Sequence, residues 1–276
     1  MEASREEYRR ILLDVFRSFS ALCDREGLHW VLAFGSAIGA VRHGGMIPWD
    51  DDIDVFMPRK DYDRFLGLTA PQGYRILSID TSPLDLPFAF AKYMDTGSTI
   101  VEQKRYPVPI GVFVDVFPLD ESGPEPEKIR QEYSGAFLRY VRSFRRHSFG
   151  EWCGDLFHGR FHEAGAAVQD LLWFRPRKKT LRAKFLSISA KAASQQPSGT
   201  YSIWSTNSDY NKLLFPREWF EGIRLVPFEG MQAPVPGGND KLLTMIYGDY
   251  MTPPPEEGRV SVHHHWFVDL GKPLEI

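Results

Sequence analysis

Three aspartates are the residues of this chain whose type and spacing could do chemistry. Asp52 and Asp54 lie two positions apart in the apolar stretch 53–57, and Asp115 lies in the aromatic-rich stretch 111–120. Side chains alternate across a strand, so Asp52 and Asp54 are predicted to project from one face. Neighbouring carboxylates repel each other unless a cation lies between them, and Mg²⁺ prefers carboxylates together with phosphate oxygens. The spacing therefore predicts a site for Mg²⁺ or Mn²⁺, with a solvated acidic edge as the alternative.

Two interpretations stay open for Asp115. The residue shares its predicted strand face with Phe113 and Phe117, where burying a lone carboxylate would be costly. A buried arginine could compensate the charge, which would make Asp115 structural. Alternatively, Asp115 is a third metal ligand or a general base beside the aspartate pair.

A predicted phosphate-binding turn precedes the aspartates. Gly35 and Ser36 follow the apolar stretch 29–34, which is expected to be a buried strand, and a short helix over 37–42 follows them. Glycine permits a close approach of the backbone, and the first N–H groups of a helix suit a phosphate. An ordinary structural turn is the alternative. Asp50 and Asp51 are assigned to the loop that approaches the next strand.

The elements that must position these residues form an α/β (α+β) pattern. An amphipathic helix over 4–25 opens the chain, and Ser4 with Glu7 is a capping box at its start. Helices are also expected at 60–68, through most of 128–193 and at 241–247, with strands at 53–57, 74–79, 88–94 and 112–117. This pattern predicts a catalytic core over 1–121, a basic helical insertion over 122–199 and a C-terminal segment over 200–276 that packs back on the core.

Composition limits the class of protein. The chain has 276 residues, 43% of them hydrophobic, and a net charge of −3, which argues against a general nucleic-acid binder. Two cysteines are too few to cross-link a fold of this size, so a reducing compartment is expected. The polar N-terminus is not typical of a secretion signal, and no apolar run approaches the roughly 20 residues of a spanning helix. We therefore expect a cytoplasmic protein.

The run FGSAIGAVRHGGMIPWDDDIDVFMPRKDYDRFL, residues 34–66, resembles the signature of LicD-type phosphotransferases, which are related to fukutin and fukutin-related protein. The resemblance continues in AKYMDTGSTIVE, GVFVDVFPLD, LLFPREWFEG and YGDYMTPPPEEGRV. It is thinnest over 128–193. It implies a core sheet of the polymerase-β-like nucleotidyltransferase type.

Site roles are carried over from this resemblance. Gly35 and Ser36 would be the phosphate turn, Asp52 and Asp54 the metal pair, and Asp115 the third carboxylate. Ser36 and Asp52 are sixteen positions apart, which is longer than is common in the wider superfold. That departure weakens an inference that a whole nucleotide is transferred.

The implied reaction uses a CDP-linked donor such as CDP-choline. Phosphocholine or a phospho-alditol would move to a hydroxyl of a glycan or glycolipid acceptor, as in lipopolysaccharide or teichoic acid modification, and CMP would leave. A true nucleotidyltransferase and a non-catalytic nucleotide-binding protein are the alternatives.

Further ligand contacts are weaker hypotheses. Arg42 and Lys92 are candidates for holding donor phosphates, with surface ion pairs as the alternative. His264, in the middle of the run 263–265, is a candidate for the nucleotide pocket, with simple exposure as the alternative. The seven tryptophans could form a cation–π cage for choline, but no pattern singles one out.

Two basic stretches, 138–149 and 175–179, lie in the helical insertion. They suggest a peripheral contact with the anionic inner face of a membrane, where a lipid-linked acceptor would be presented. A solvated face of the insertion is the alternative.

Overall fold

A computed structural model describes residues 2–158, 161–205, 213–260 and 265–274. Within these ranges the helices are α1 (Glu2–Glu26), α2 (Phe34–His43), α3 (Arg59–Leu66), α4 (Pro126–Arg142), α5 (Phe149–Phe157), α6 (Phe161–Gln169), α7 (Lys178–Ala193) and α8 (Asn239–Tyr247). The strands are β1 (Val31–Leu32), β2 (Asp54–Pro58), β3 (Tyr74–Leu77), β4 (Ala91–Asp95), β5 (Thr99–Val101), β6 (Phe113–Glu121), β7 (Thr200–Ser202), β8 (Leu214–Pro216), β9 (Arg224–Phe228), β10 (Met231–Val235) and β11 (Phe267–Asp269). A π-helical turn (Asp170–Phe174) and three 3₁₀ turns (Arg175–Arg177, Arg217–Phe220 and Glu256–Gly258) complete the described elements.

The main sheet is mixed, with strand order β1-β2-β6-β4-β3. β2 and β6 run parallel, and the other neighbours are antiparallel. Val55, Phe56 and Met57 are all buried, so β2 is covered on both faces, which explains its continuous apolar sequence. The expected mixed α/β fold is therefore present, with β6 at the centre of the sheet.

Helix α1 covers one face of the sheet against β4 and β6. Its fully buried face includes Leu12, Phe16 and Phe19, which recur at helical spacing. Phe19 packs edge-on against Trp30 and Tyr93, at ring-centroid distances of 5.4 and 5.8 Å. Burial of each such side chain contributes about 1.5–3 kcal/mol, so this interface is a major part of the core.

The start of α2 differs from the sequence prediction. The strand expected over 29–34 is only Val31–Leu32, and α2 begins at Phe34, so Gly35 and Ser36 lie in its first turn. Phe34 has a φ of 45°, in the left-handed region that non-glycine residues rarely adopt, and this bends the chain abruptly into the helix. The prediction of a separate glycine turn before the helix was wrong for this reason.

Residues 126–193 are largely helical, as the sequence predicted. Helices α4 and α7 pack against each other through stacked rings of Tyr140 and Phe185, whose centroids lie 6.0 Å apart. The π-helical turn begins with the buried Asp170, which accepts hydrogen bonds from Arg142 Nε at 2.5 Å and lies 2.9 Å from His147 Nε2.

The C-terminal part joins the rest of the molecule through strand pairing. β7 extends the far end of β6, and β11 pairs with β5. The β9–β10 hairpin turns at Glu229 and Gly230, which both have positive φ, as a tight hairpin turn requires. Among the described residues, none of the helices has both the length and the apolar character needed to cross a membrane.

Candidate active site

A cavity of about 540 Å³ opens beside β2, β4 and β6. Residues from these three strands, from the first turn of α2 and from the loop before β2 form one part of its wall. The rest comes from the loop before β4, the loop between β5 and β6, helices α4 and α8, and Ser205 after β7. The wall has an acidic end and an aromatic end, which are described in turn.

Strand register brings Asp54, Asp115 and Lys92 together on that wall. Asp54 is the parallel-sheet partner of Asp115, and Asp115 is the antiparallel partner of Lys92. Lys92 Nζ donates a hydrogen bond to Asp115 Oδ1 at 2.8 Å. The three residues therefore lie side by side across β2, β6 and β4.

The loop before β2 adds further carboxylates. Oxygens of Asp50, Asp51 and Asp52 lie within 4.8 Å of one another, a spacing that could hold a metal ion. Asp50 and Asp52 also line the cavity. A Cβ at Gly35 would come within 2.7 Å of Asp50 Oδ2, so a side chain at this position would displace that carboxylate. The sequence prediction placed the metal on Asp52, Asp54 and Asp115, and that ligand set stays a prediction.

Negative charge is concentrated at this end. Burial, followed by the charges of Asp52, Asp115 and Asp50, raises the pKa of Asp54 well above its ordinary value, while Lys92 acts in the opposite direction. An aspartate whose nearest charges are other aspartates gains strongly from a bound cation. The site is therefore chemically suited to a hard divalent ion with oxygen ligands.

Two tyrosines lie in the same negative field. Burial and then the nearby aspartates raise the pKa of Tyr247, which lines the cavity, and of Tyr8 on α1. The ring of His265 lies 5.5 Å from the ring of Tyr8, so the last of the three histidines approaches the acidic side. His264, the predicted nucleotide-pocket residue, lies outside the described residues.

Lys92 is a buried cation, with 1% of its surface exposed. Besides Asp115, its Nζ lies 3.5 Å from Glu102 Oε2 and 3.3 Å from the centroid of the Phe113 ring. Burial alone lowers the pKa of Lys92, but Asp115 and Glu102 outweigh this and raise the pKa above its ordinary value. Lys92 therefore stays protonated and partly offsets the acidic end.

Ser36 positions Asp54. Its buried Oγ accepts a hydrogen bond from the backbone N–H of Asp54 at 2.9 Å, which ties the first turn of α2 to the start of β2. Among the described residues, Gly35 lines the cavity and Ser36 does not.

Arg42 is also outside the described cavity lining. Its Nη1 donates to the carbonyl oxygen of Tyr250 at 2.6 Å, and its guanidinium lies 6.0 Å from the centroid of the Trp49 ring. Arg259 lies 5.5 Å from the same ring. Burial and then Arg259 lower the pKa of Arg42. The structure thus places Arg42 in a basic cluster around Trp49, in the segment that leads to the acidic loop.

The other end of the cavity is aromatic. Its wall includes Phe88, Phe90, Phe117, Tyr106 and Phe137. The rings of Phe90 and Phe117 have centroids 4.4 Å apart, and those of Phe88 and Phe90 are 5.5 Å apart. Among the described lining residues there is no tryptophan. Glu102 and Gln103 provide polar groups in the same region.

Sequence reasoning missed several lining residues. Asp50 was assigned to the approach loop although its adjacency to Asp52 was a usable signal. Glu102 and Tyr106 come from the loop after β5, Phe137 from α4 and Tyr247 from α8, which are three separate parts of the chain. The usable signal was that Glu102 ends the motif AKYMDTGSTIVE and Tyr247 begins the motif YGDYMTPPPEEGRV.

A mixed α/β fold thus places carboxylates from one loop and from two parallel strands on the wall of one cavity. The family profile described as LicD/FKTN/FKRP, nucleotidyltransferase domain, matches residues 27–149, which carry these carboxylates and Lys92. Over this range the chain is similar to the LicD family.

One particular relative resembles almost the whole chain. The lipopolysaccharide cholinephosphotransferase LicD of Haemophilus influenzae is 28% identical over 271 residues, which cover 94% of this chain and 95% of that protein. The similarity therefore extends well beyond the acidic motif, into the helical insertion and the C-terminal segment.

Proposed function

We propose that this chain is a metal-dependent cholinephosphotransferase that moves phosphocholine from a CDP-linked donor to a hydroxyl of a cell-surface glycan precursor. The observation that carries the proposal is a single cavity with carboxylates at one end and aromatic rings at the other. The similarity to a lipopolysaccharide cholinephosphotransferase supports both the transferred group and a lipopolysaccharide-type acceptor. The family description supports a nucleotidyltransferase-like core.

The carboxylates suit Mg²⁺ or Mn²⁺. Asp52 and Asp54, with Asp50 or Asp115, would hold the ion, because all four line the cavity and the charges of the other three raise the pKa of Asp54. A bound divalent ion would neutralise charge on the diphosphate of the donor.

The aromatic end suits choline better than an alditol. A quaternary ammonium group is attracted to aromatic faces, and Phe90, Phe117, Tyr106 and Phe137 supply them. Glu102 would add a compensating negative charge. Ribitol or glycerol hydroxyls would need several hydrogen-bonding partners when buried, and this wall offers few. Phosphocholine is therefore the transferred group that we propose.

The reaction needs positioning more than covalent chemistry. The acceptor oxygen forms a bond to the phosphorus that bears choline, and the bond from that phosphorus to the CMP oxygen breaks, with the electron pair leaving on CMP. The proton of the acceptor hydroxyl passes to a carboxylate, for which Asp115 is our candidate. Lys92 holds Asp115 in place through its 2.8 Å hydrogen bond.

The test is incubation of the purified chain with CDP-choline, CDP-ribitol or CDP-glycerol in the presence of Mg²⁺, with CMP as the measured product. We expect slow CMP release from CDP-choline without acceptor, loss of this release with EDTA, and little release from the other two donors. Asp120→Asn serves as a control for the loss of a buried aspartate outside the cavity. Pyrophosphate release from a nucleoside triphosphate, with no CMP from any of the three donors, would instead indicate nucleotidyl transfer.

A further inference from the structure

The helical insertion exposes large apolar side chains, the reverse of an ordinary water-facing surface. The exposed fraction is 90% for Phe157, 78% for Phe149 and 73% for Leu172, and Phe161 and Trp173 are also exposed. We call these five residues the insertion patch.

Helix α6 shows this exposure of large apolar side chains most clearly. Its buried residues include the small Ala164 and Ala167, whereas the larger Phe161 and Val168 are exposed. Phe161 and Val168 are seven positions apart and therefore lie on one side of the helix. On α5, Phe149 and Phe157 are eight positions apart, which also keeps them within one broad stripe. Burial against the protein thus does not explain why these positions are apolar.

The patch is linked to the rim of the catalytic cavity. Tyr106, which lines the cavity, packs against Phe144 just before α5, with ring centroids 5.7 Å apart. The backbone N–H of Arg146 donates to the carbonyl oxygen of Arg105 at 2.8 Å. On α4, Phe137 lines the cavity while its neighbour Leu138 is exposed. The segment that leads into α5, which carries part of the patch, is therefore in contact with the wall of the cavity.

The stretch of chain that carries the patch has a net positive charge. Residues 145–179 contain seven arginines and lysines and four aspartates and glutamates, although the whole chain has a net charge of −3. Arg146, Arg175, Arg177 and Lys179 are exposed. The guanidinium of Arg177 lies 4.1 Å from the centroid of the Trp173 ring, so an aromatic residue and a cation share one location.

Two arginines of this region have a different role. Arg142 donates to the buried Asp170 at 2.5 Å, and Arg145 Nη1 lies 3.9 Å from the other oxygen of that carboxylate. The basic stretch predicted from the sequence therefore divides into internal and outward-facing cations, and charge reversal at Arg145 would disturb the fold of the insertion.

We propose that the insertion patch inserts into the interfacial layer of an anionic phospholipid bilayer, with Arg146, Arg175, Arg177 and Lys179 contacting the head groups. Exposed Phe, Leu and Trp side chains together with cations are the combination that such an interface selects. Coverage by a second copy of the chain would bring the same cations together, which opposes self-association at this surface.

The experiment is co-sedimentation of the full chain with vesicles of phosphatidylcholine alone or with 30% phosphatidylglycerol. We expect binding to the anionic vesicles that weakens as salt is raised. The variant Phe149→Ser/Phe157→Ser/Leu172→Ser should bind about tenfold more weakly for each side chain removed. Arg175→Gln/Arg177→Gln should lose about fivefold per charge on anionic vesicles and little on neutral ones.

The matched control is Ile223→Ser/Leu225→Ser/Met251→Ser, which removes three exposed apolar side chains outside the insertion. This variant should bind vesicles like the wild type, and both serine variants should retain wild-type melting temperatures. Equal vesicle binding by the patch variant and the wild type would overturn the proposal. So would a dimer, detected by sedimentation velocity, that the patch variant abolishes while vesicle binding is absent.

Discussion

Buried aspartates occur in two contrasting settings in this molecule. Asp120 and Asp115 lie five positions apart on β6, and both are buried. Asp120 accepts two hydrogen bonds from one guanidinium, from Arg59 Nε at 2.5 Å and from Arg59 Nη2 at 3.0 Å. Asp115 instead shares one lysine with Glu102 and lies beside Asp54.

The insertion repeats the first setting, because Asp170 is surrounded by Arg142, Arg145 and His147. Asp120 and Asp170 are thus matched by local cations, whereas the described lining of the cavity has five carboxylates and one lysine. A fold tolerates such an excess where an added cation and a substrate complete the charge balance. The following predictions test whether the two settings differ in function as well as in charge.

The largest effect is expected for Asp54→Asn. The substitution keeps the shape but removes the charge, so we expect CMP release from CDP-choline to fall by about three orders of magnitude, or about 4 kcal/mol of transition-state stabilisation. Because burial and then the neighbouring aspartates raise the pKa of Asp54, its charged form destabilises the fold, so the neutral variant should unfold, in metal-free buffer, with a free energy at least equal to that of the wild type. Near-normal turnover would exclude a role for this carboxylate in the reaction.

Arg59→Ala is expected to lower stability and leave activity nearly unchanged, which is the opposite of Asp54→Asn. Asp120 would be left buried without its partner, which we expect to lower the free energy of unfolding by about 3 kcal/mol, measured by urea denaturation. Activity per folded molecule should stay within twofold of the wild type. The double variant Arg59→Ala/Asp120→Asn should recover part of the stability, and no recovery would show that Arg59 acts through contacts other than this ion pair.

Metal addition should distinguish the two settings without any assay of turnover. At tenfold excess over its dissociation constant, Mg²⁺ should stabilise the wild type by about 1.4 kcal/mol, which corresponds to a rise in melting temperature of about 2–3 °C for a chain of this length. Asp54→Asn should lose most of this rise, whereas Asp120→Asn should keep it. An equal rise in all three proteins would place the ion elsewhere.

The sequence predicted the secondary-structure elements better than it predicted the tertiary contacts between them. Periodicity located α1, β2 and α8 within a few residues, because each element buries one regular stripe or run. The pair Asp52 and Asp54 was found because both lie in one short motif. Glu102 and Phe137 were missed, since they reach the cavity through a loop and through a helix of the insertion. Long-range packing, which local spacing does not encode, decides such contacts.

Ser36→Ala is expected to have a smaller effect on activity than Asp54→Asn and a smaller effect on stability than Arg59→Ala. The sequence suggested that Ser36 binds a donor phosphate, whereas its Oγ accepts the backbone N–H of Asp54 at 2.9 Å. Loss of this hydrogen bond should lower the free energy of unfolding by about 1 kcal/mol.

The kinetic parameters separate the two roles of Ser36. If the hydroxyl positions Asp54, kcat should fall about tenfold with an unchanged KM for CDP-choline. A misplaced carboxylate would stabilise the transition state less well without changing how the donor binds. If the hydroxyl binds the donor in its ground state, KM should rise instead. Ser78→Ala is the matched control, since Ser78 is also buried and its Oγ accepts a backbone N–H, that of Asp80 at 3.2 Å, outside the described cavity wall. Ser78 Oγ also donates to Asp80 Oδ2 at 3.1 Å, so that control should lose at least as much stability as Ser36→Ala. It should keep both kinetic parameters, so a fall in kcat seen only in Ser36→Ala would assign the effect to the position of Asp54.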